Sequence, residues 1–152
     1  MNSEELSQFF SPECFISDLK STTKNDILSE MVQPLIEMNK IRNEHVLLET
    51  LLKRETLGST GIGKGIAIPH CRTLAISQIC VVIGISKSGV DFDSIDKKKV
   101  NLFFLIVAPP QEKTNQYLPL LGKIVELVRD NNVRKNLLKT KNFTEFMEII
   151  QG

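Results

Sequence analysis

Tryptophan is absent from this chain of 152 residues, tyrosine occurs once and histidine twice. Two imidazoles with no short ligand spacing leave little for a histidine-built metal centre. Cysteine is scarce as well: Cys14, Cys71 and Cys80 form no CxxC and no framework of pairs, which suits a reducing compartment. Excess charge of either sign is missing. Lys+Arg 19 against Asp+Glu 18 gives a net +1, so no global field draws the chain to nucleic acid or to an anionic membrane. Long hydrophobic runs are missing too, and the longest, Leu102 to Ala108, is too short to span a bilayer. The opening MNSEELSQFF carries acids where a secretion signal would carry positive charge. No repeat, low-complexity stretch or Pro/Gly/Ser linker divides the chain. These absences lead to the expectation of one domain over residues 1–152, cytoplasmic, with no metal, cofactor, nucleic-acid partner or membrane insertion.

What is present is a change of period along the chain. Cys14–Leu19 alternates and reads as a short strand. Thr23 begins a helix with Ile27, Leu28, Met31, Val32, Leu35 and Ile36 at helical spacing, and Pro34 predicts a kink or early end. A second helix runs from Asn43 to about Lys53, burying Val46, Leu47, Thr50 and Leu51. The runs 65–70, 79–86 and 100–108 are short, apolar and rich in branched residues, as buried strands are. Residues 87–99 read as a turn-rich connection. Helical spacing returns from about Asn115 to Arg129, with Pro119 blurring the start, and in two short helices near 132–139 and 143–150. Helices flanking a central sheet imply an α/β domain.

Between the second helix and the first apolar run lies GSTGIGKGIAIPH, residues 58–70. Gly58, four residues and then Gly63-Lys64 match the start of the nucleotide-binding pattern GxxxxGK[ST]. That pattern needs a strand before it, a helix after it and a hydroxyl following the lysine. Here the order is helix, loop, strand; Gly65 follows Lys64, and Pro69 bars a helix. A nucleotide loop is therefore excluded. The glycines still permit unusual backbone angles and close approach. They are either an anion-binding nest of N–H groups or a tight connection that crowds its neighbours.

Two side chains beside the loop favour the anion. His70, on a strand after Pro69, points away from Cys71, so the two cannot act as a Cys–His pair by adjacency. Neutral imidazole is a good nucleophile near neutral pH and can carry a covalent group. Arg54, just before the loop, offers a guanidinium fork that matches phosphate oxygens and stays charged. An imidazole, an Arg and a glycine-rich loop together describe a phosphoryl-transfer site. The other histidine, His45, falls on an exposed helix face.

The stretch LLKRETLGSTGIGKGIAIPHCR, residues 51–72, resembles the active-site signature of the enzyme IIA proteins of the fructose/mannitol class in the bacterial phosphoenolpyruvate-dependent phosphotransferase system. GVDFDSIDKKKVNLFFLIVAPP, residues 89–110, resembles a second segment of that family. The resemblance implies a mixed β-sheet flanked by helices. It also implies that His70 accepts a phosphoryl group from the phosphocarrier HPr and passes it to a cysteine of a IIB partner. By the same resemblance Arg54 is the phosphate-binding cation, and the loop at the site is formed by Ser59, Thr60 and Gly61, with Gly63 following. The wording LGSTGIG, and the lack of room for fused IIB or membrane domains, resemble the stand-alone nitrogen-regulatory branch. One position departs from the family pattern. Where a second histidine is expected near the start of the helix after Ala108-Pro109-Pro110 stands Tyr117. A phenol can hydrogen-bond a phosphoryl oxygen but brings no positive charge. The alternative is thus a binding-only regulator that keeps the fold without cycling phosphate.

Overall fold

The computed structural model describes residues Met1–Gly152. Strand β6 (Val100–Ala108) is its spine. Every residue of β6 except Asn101 is buried, which explains the unbroken apolar run from Leu102 to Ala108: both faces of the sheet are covered. On one side β6 pairs antiparallel with β5 (Cys80–Val90), and β5 pairs parallel with β1 (Phe15–Ile16). On its other side β6 pairs in parallel first with β3 (Ile66–Ala67) and then with β4 (His70–Arg72). A short β2 (Gly61–Gly63) closes that edge, antiparallel to β3. The sheet is therefore mixed, as expected, and has six strands.

Alternation along β6 builds two cores. Phe103, Leu105 and Val107 face helices α2 (Lys24–Glu37) and α3 (Glu44–Thr56), meeting Met31, Leu35, Leu47 and Leu51. Leu102, Phe104 and Ile106 face the opposite layer. There α4 (Tyr117–Arg129) and α6 (Phe143–Gln151) supply Leu120, Ile124, Phe146 and Ile150. The N-terminal α1 (Ser3–Ser7) packs with α6, while α5 (Asn131–Leu138) links α4 to α6. No helix is long and apolar enough to cross a membrane.

Several local expectations change. Pro34 does not stop α2, which runs on to Glu37: the ring lies in the last turn, where only one internal hydrogen bond is forfeited. Helix α3 reaches Thr56 rather than Lys53, and it buries Leu47, Leu51 and Glu55 at four-residue spacing, leaving Val46 exposed and Thr50 half-buried. The run 65–70 is two strands, because Ile68-Pro69 interrupts the edge pairing, and His70 begins β4 instead of ending a strand. Strand β5 continues to Val90, so the turn-rich connection is shorter than its composition suggested. Of Cys14–Leu19 only Phe15-Ile16 is strand; Cys14 closes a single turn of 3₁₀ helix.

Candidate functional site

Asn43 starts α3 by accepting from the amides of His45 and Val46, at 3.1 and 3.2 Å. The helix then delivers two adjacent charged residues to its C-terminal end, and they take opposite roles. Glu55 continues the buried stripe of Leu47 and Leu51, and its side chain is only 5% exposed. It accepts from the Thr60 amide at 3.0 Å and from the Thr60 hydroxyl, and it pairs with Lys24 Nζ at 3.1 Å. Lys24 also lies 4.6 Å from the centre of the Phe92 ring. Arg54, one residue earlier, is directed outward. Its Nη1 donates to the Gly58 carbonyl at 2.9 Å, and no carboxylate neutralises it.

The glycine-rich loop is therefore tied down from beneath. Ser59 Oγ donates to the Phe92 carbonyl at 2.6 Å and accepts from the Gly61 amide at 3.0 Å. A Cβ at Gly61 would collide with Ser94 Oγ, so close approach gives this glycine its place. The amides of Thr60, Gly61 and Lys64 all have partners within the protein, the last with Asp96 at 2.8 Å. They do not form the open row of N–H groups that a nest requires. Gly63 adopts φ +95° at the β2–β3 turn, beside Ile95 and Asp96. β3 runs along β6 at Leu102 and His70 stands opposite Ile106, a shift of about 13 Å along a strand. Gly63 thus shapes the hairpin, whereas Gly58 to Thr60 lie on the His70 side, where the Thr60 carbonyl accepts from the Ile68 amide at 3.0 Å.

His70 is half-buried, and its orientation is set by one hydrogen bond: Nδ1 lies 2.7 Å from the Ile68 carbonyl. A carbonyl only accepts, so Nδ1 carries the proton. Nε2 then keeps its lone pair and is the free nucleophilic atom. Tyr117 opens α4 and packs beside this ring, with centroids 6.4 Å apart and planes at 56°. It is 6% exposed, and burial pushes its phenol up to about 12, against the partial relief given by Arg72 and Arg54. Tyr117 is therefore neutral at physiological pH. The position expected to hold a second histidine does meet His70, but without a charge. Cys71 points into the α2/α3 core, where burial raises its thiol to about 12 and makes it inert as a nucleophile. His45 is exposed on α3, away from this cluster. No group of three or more His, Cys, Asp or Glu side chains is arranged to hold a metal.

Two participants escaped the sequence reading. Glu55 was signalled by its four-residue spacing from Leu51, which places a carboxylate on the buried stripe. Arg72 was signalled by its two-residue spacing from His70 on a strand. Its guanidinium carbon sits 4.7 Å from the centre of the Tyr117 ring.

The site is thus an imidazole with a free Nε2 set between a glycine-rich loop and the first turn of α4, on a mixed sheet covered by helices on both faces. Residues 8–152 match the family model described as "Phosphoenolpyruvate-dependent sugar phosphotransferase system, EIIA 2", and the chain belongs to that family. It is 34% identical over 133 residues to the PTS system fructose-specific EIIABC component of Bacillus subtilis, covering 88% of this chain but only 21% of that much longer protein. It is 31% identical over 137 residues to the nitrogen regulatory protein of Bradyrhizobium diazoefficiens, covering 90% of this chain and 88% of the relative. The crystal structure of nitrogen regulatory protein IIA-Ntr from Neisseria meningitidis superposes with a TM-score of 0.87 at 27% identity, covering 96% of this chain and 99% of that one.

Proposed function

We propose that this protein is a phosphoryl carrier that receives its phosphoryl group on Nε2 of His70. The observation that carries this reading is the bond from Nδ1 to the Ile68 carbonyl, which fixes both the tautomer and the direction of the lone pair. The donor is phospho-HPr. Its P–N bond breaks, the electron pair returns to the donor nitrogen, and a new P–Nε2 bond forms while Nδ1 keeps its proton. The ring gains positive character as that bond forms, and the Ile68 carbonyl, already aligned, stabilises it without reorganisation. The donor supplies an activated phosphoryl, so the site's task is alignment and charge stabilisation. Arg54 meets the phosphoryl oxygens from the loop side, and the tie from Glu55 to Thr60 holds that loop in place.

The phosphoryl group then passes to a cysteine of a IIB partner in the cytoplasm, or its presence on His70 is the signal itself. The fructose-specific relative, whose name joins A, B and C components, supports the first outcome, and the nitrogen regulatory relatives support the second. Tyr117 favours one competing reading, a regulator that binds without cycling phosphate, since it brings no charge to His70. Incubation with phosphoenolpyruvate, enzyme I and HPr separates the two. Addition of one phosphoryl group to native protein and none to His70→Ala is expected. No addition to native protein while HPr is phosphorylated would leave the binding-only regulator.

A further inference from the structure

The alternation of β4 places His70 and Arg72 on one face and Cys71 on the other. Cys71 is buried and Arg72 is exposed, so the arginine stands on the same side as the proposed nucleophile. It is nonetheless held in place. Besides stacking on Tyr117 at 4.7 Å, its Nη1 donates to the Pro110 carbonyl at 3.2 Å, which leaves its other N–H donors free. No carboxylate forms an ion pair with it. Glu112 lines the same cleft, of about 600 Å³, but its oxygens already accept from Thr114 and Gln116. One tyrosine ring therefore packs beside the His70 imidazole on one hand and under an unneutralised guanidinium on the other.

We propose that Arg72 is a second phosphoryl-binding cation of this site, held by Tyr117 and Pro110 so that its free N–H groups reach the oxygens of a phosphoryl group on His70. The inference rests on the reading of His70 as acceptor. Tyr117 brings no charge of its own, but it carries one on its face. No bond to Arg72 forms or breaks. While the donor P–N bond gives way to P–Nε2, the negative charge on the non-bridging oxygens is shared between Arg54 and Arg72.

The test uses native protein, Arg72→Gln, Arg72→Lys and His70→Ala, with phospho-HPr as donor. Rapid-mix transfer is followed over a range of donor concentrations, and ³¹P NMR of the phosphorylated forms is followed against pH. Arg72→Gln is expected to slow the saturating first-order step about tenfold or more, with half-saturation little changed. It should also raise the pKa of the bound phosphoryl group, because a neighbouring cation favours the dianion. Arg72→Lys should recover part of both effects. Native kinetics and an unmoved ³¹P titration in Arg72→Gln would overturn the inference and leave His70 standing. A change confined to half-saturation would also overturn it, making Arg72 a contact for the donor protein. If native protein takes up no phosphoryl group, or His70→Ala takes up as much as native, the acceptor assignment fails and this inference fails with it.

Discussion

Arg54 and Glu55 are neighbours in sequence, yet they belong to different regions of the site. Beneath the loop, Glu55 is buried and its oxygens serve Thr60 and Lys24. Above it, Arg54 spends one donor on the Gly58 carbonyl and is otherwise unneutralised, as Arg72 is beside Tyr117. On the underside the charged groups and loop amides are paired, and the buried Ser94 hydroxyl beside Gly61 alone lacks a partner. The upper face has donors in excess and one nucleophilic lone pair, on His70 Nε2. A loop with satisfied amides is stiff, and stiffness beneath is what lets excess charge above be aimed. On the proposed reading, anion binding falls to the Arg54 and Arg72 side chains rather than to the glycine-rich backbone, whose amides at Thr60, Gly61 and Lys64 are already partnered.

The comparison breaks most sharply at His70: its replacement by Ala should abolish phosphoryl uptake, as read by intact mass. Next comes Arg54→Ala, which should slow transfer about ten- to a hundredfold. Its unfolding free energy should stay within about 1 kcal/mol of native, since Arg54 is half-buried and gives up one hydrogen bond, to the Gly58 carbonyl. A native transfer rate would show that the upper face does not need this charge. Glu55→Ala should do the reverse, costing about 2 kcal/mol in denaturant unfolding by leaving the buried Thr60 amide and hydroxyl unpaired and Lys24 with only Asp93, at 3.6 Å. A loss below about 0.5 kcal/mol, within the range of an ordinary surface change, would mean the underside is not the anchor.

Tyr117 gives a test in pH. It is the only tyrosine and there is no tryptophan, so ultraviolet titration reads it alone. The phenolate should form with a midpoint near 12 in the folded protein, against about 10 for a free phenol. With its folded value raised, Tyr117 contributes stability that is complete below pH about 10 and is lost as pH rises through 12, since the unfolded chain releases its proton first. A midpoint near 10 would place the ring in water. The smallest effect expected is from Tyr117→His, which should alter the transfer rate or the phosphohistidine lifetime; no change in either would mean that the phenol already serves.

Much of this was legible where physics is local. Most of β6, Leu102 to Ala108, coincides with an apolar run because the strand is buried there on both faces. His70 and Arg54 could be singled out because imidazole and guanidinium carry their chemistry wherever they are placed. The rest depends on pairing across the chain. The break at Ile68-Pro69 sets which residues of 65–72 share a face, and only with that register does Arg72 join His70. The loop glycines suggested an anion nest, but the partners of the loop lie at Phe92 and Glu55, outside the motif itself. Glu55 drew no role from the sequence because the expected helix ended near Lys53, and the stripe of Leu47 and Leu51 extends one turn further to reach it.

The account turns on the atom left free by the Ile68 carbonyl. Its most direct test is ¹⁵N NMR of histidine-labelled protein after phosphorylation with phosphoenolpyruvate, enzyme I and HPr. A P–N coupling at Nε2 of His70, with Nδ1 still protonated, is the predicted result. Phosphorylation at Nδ1, or at any other residue, would contradict it.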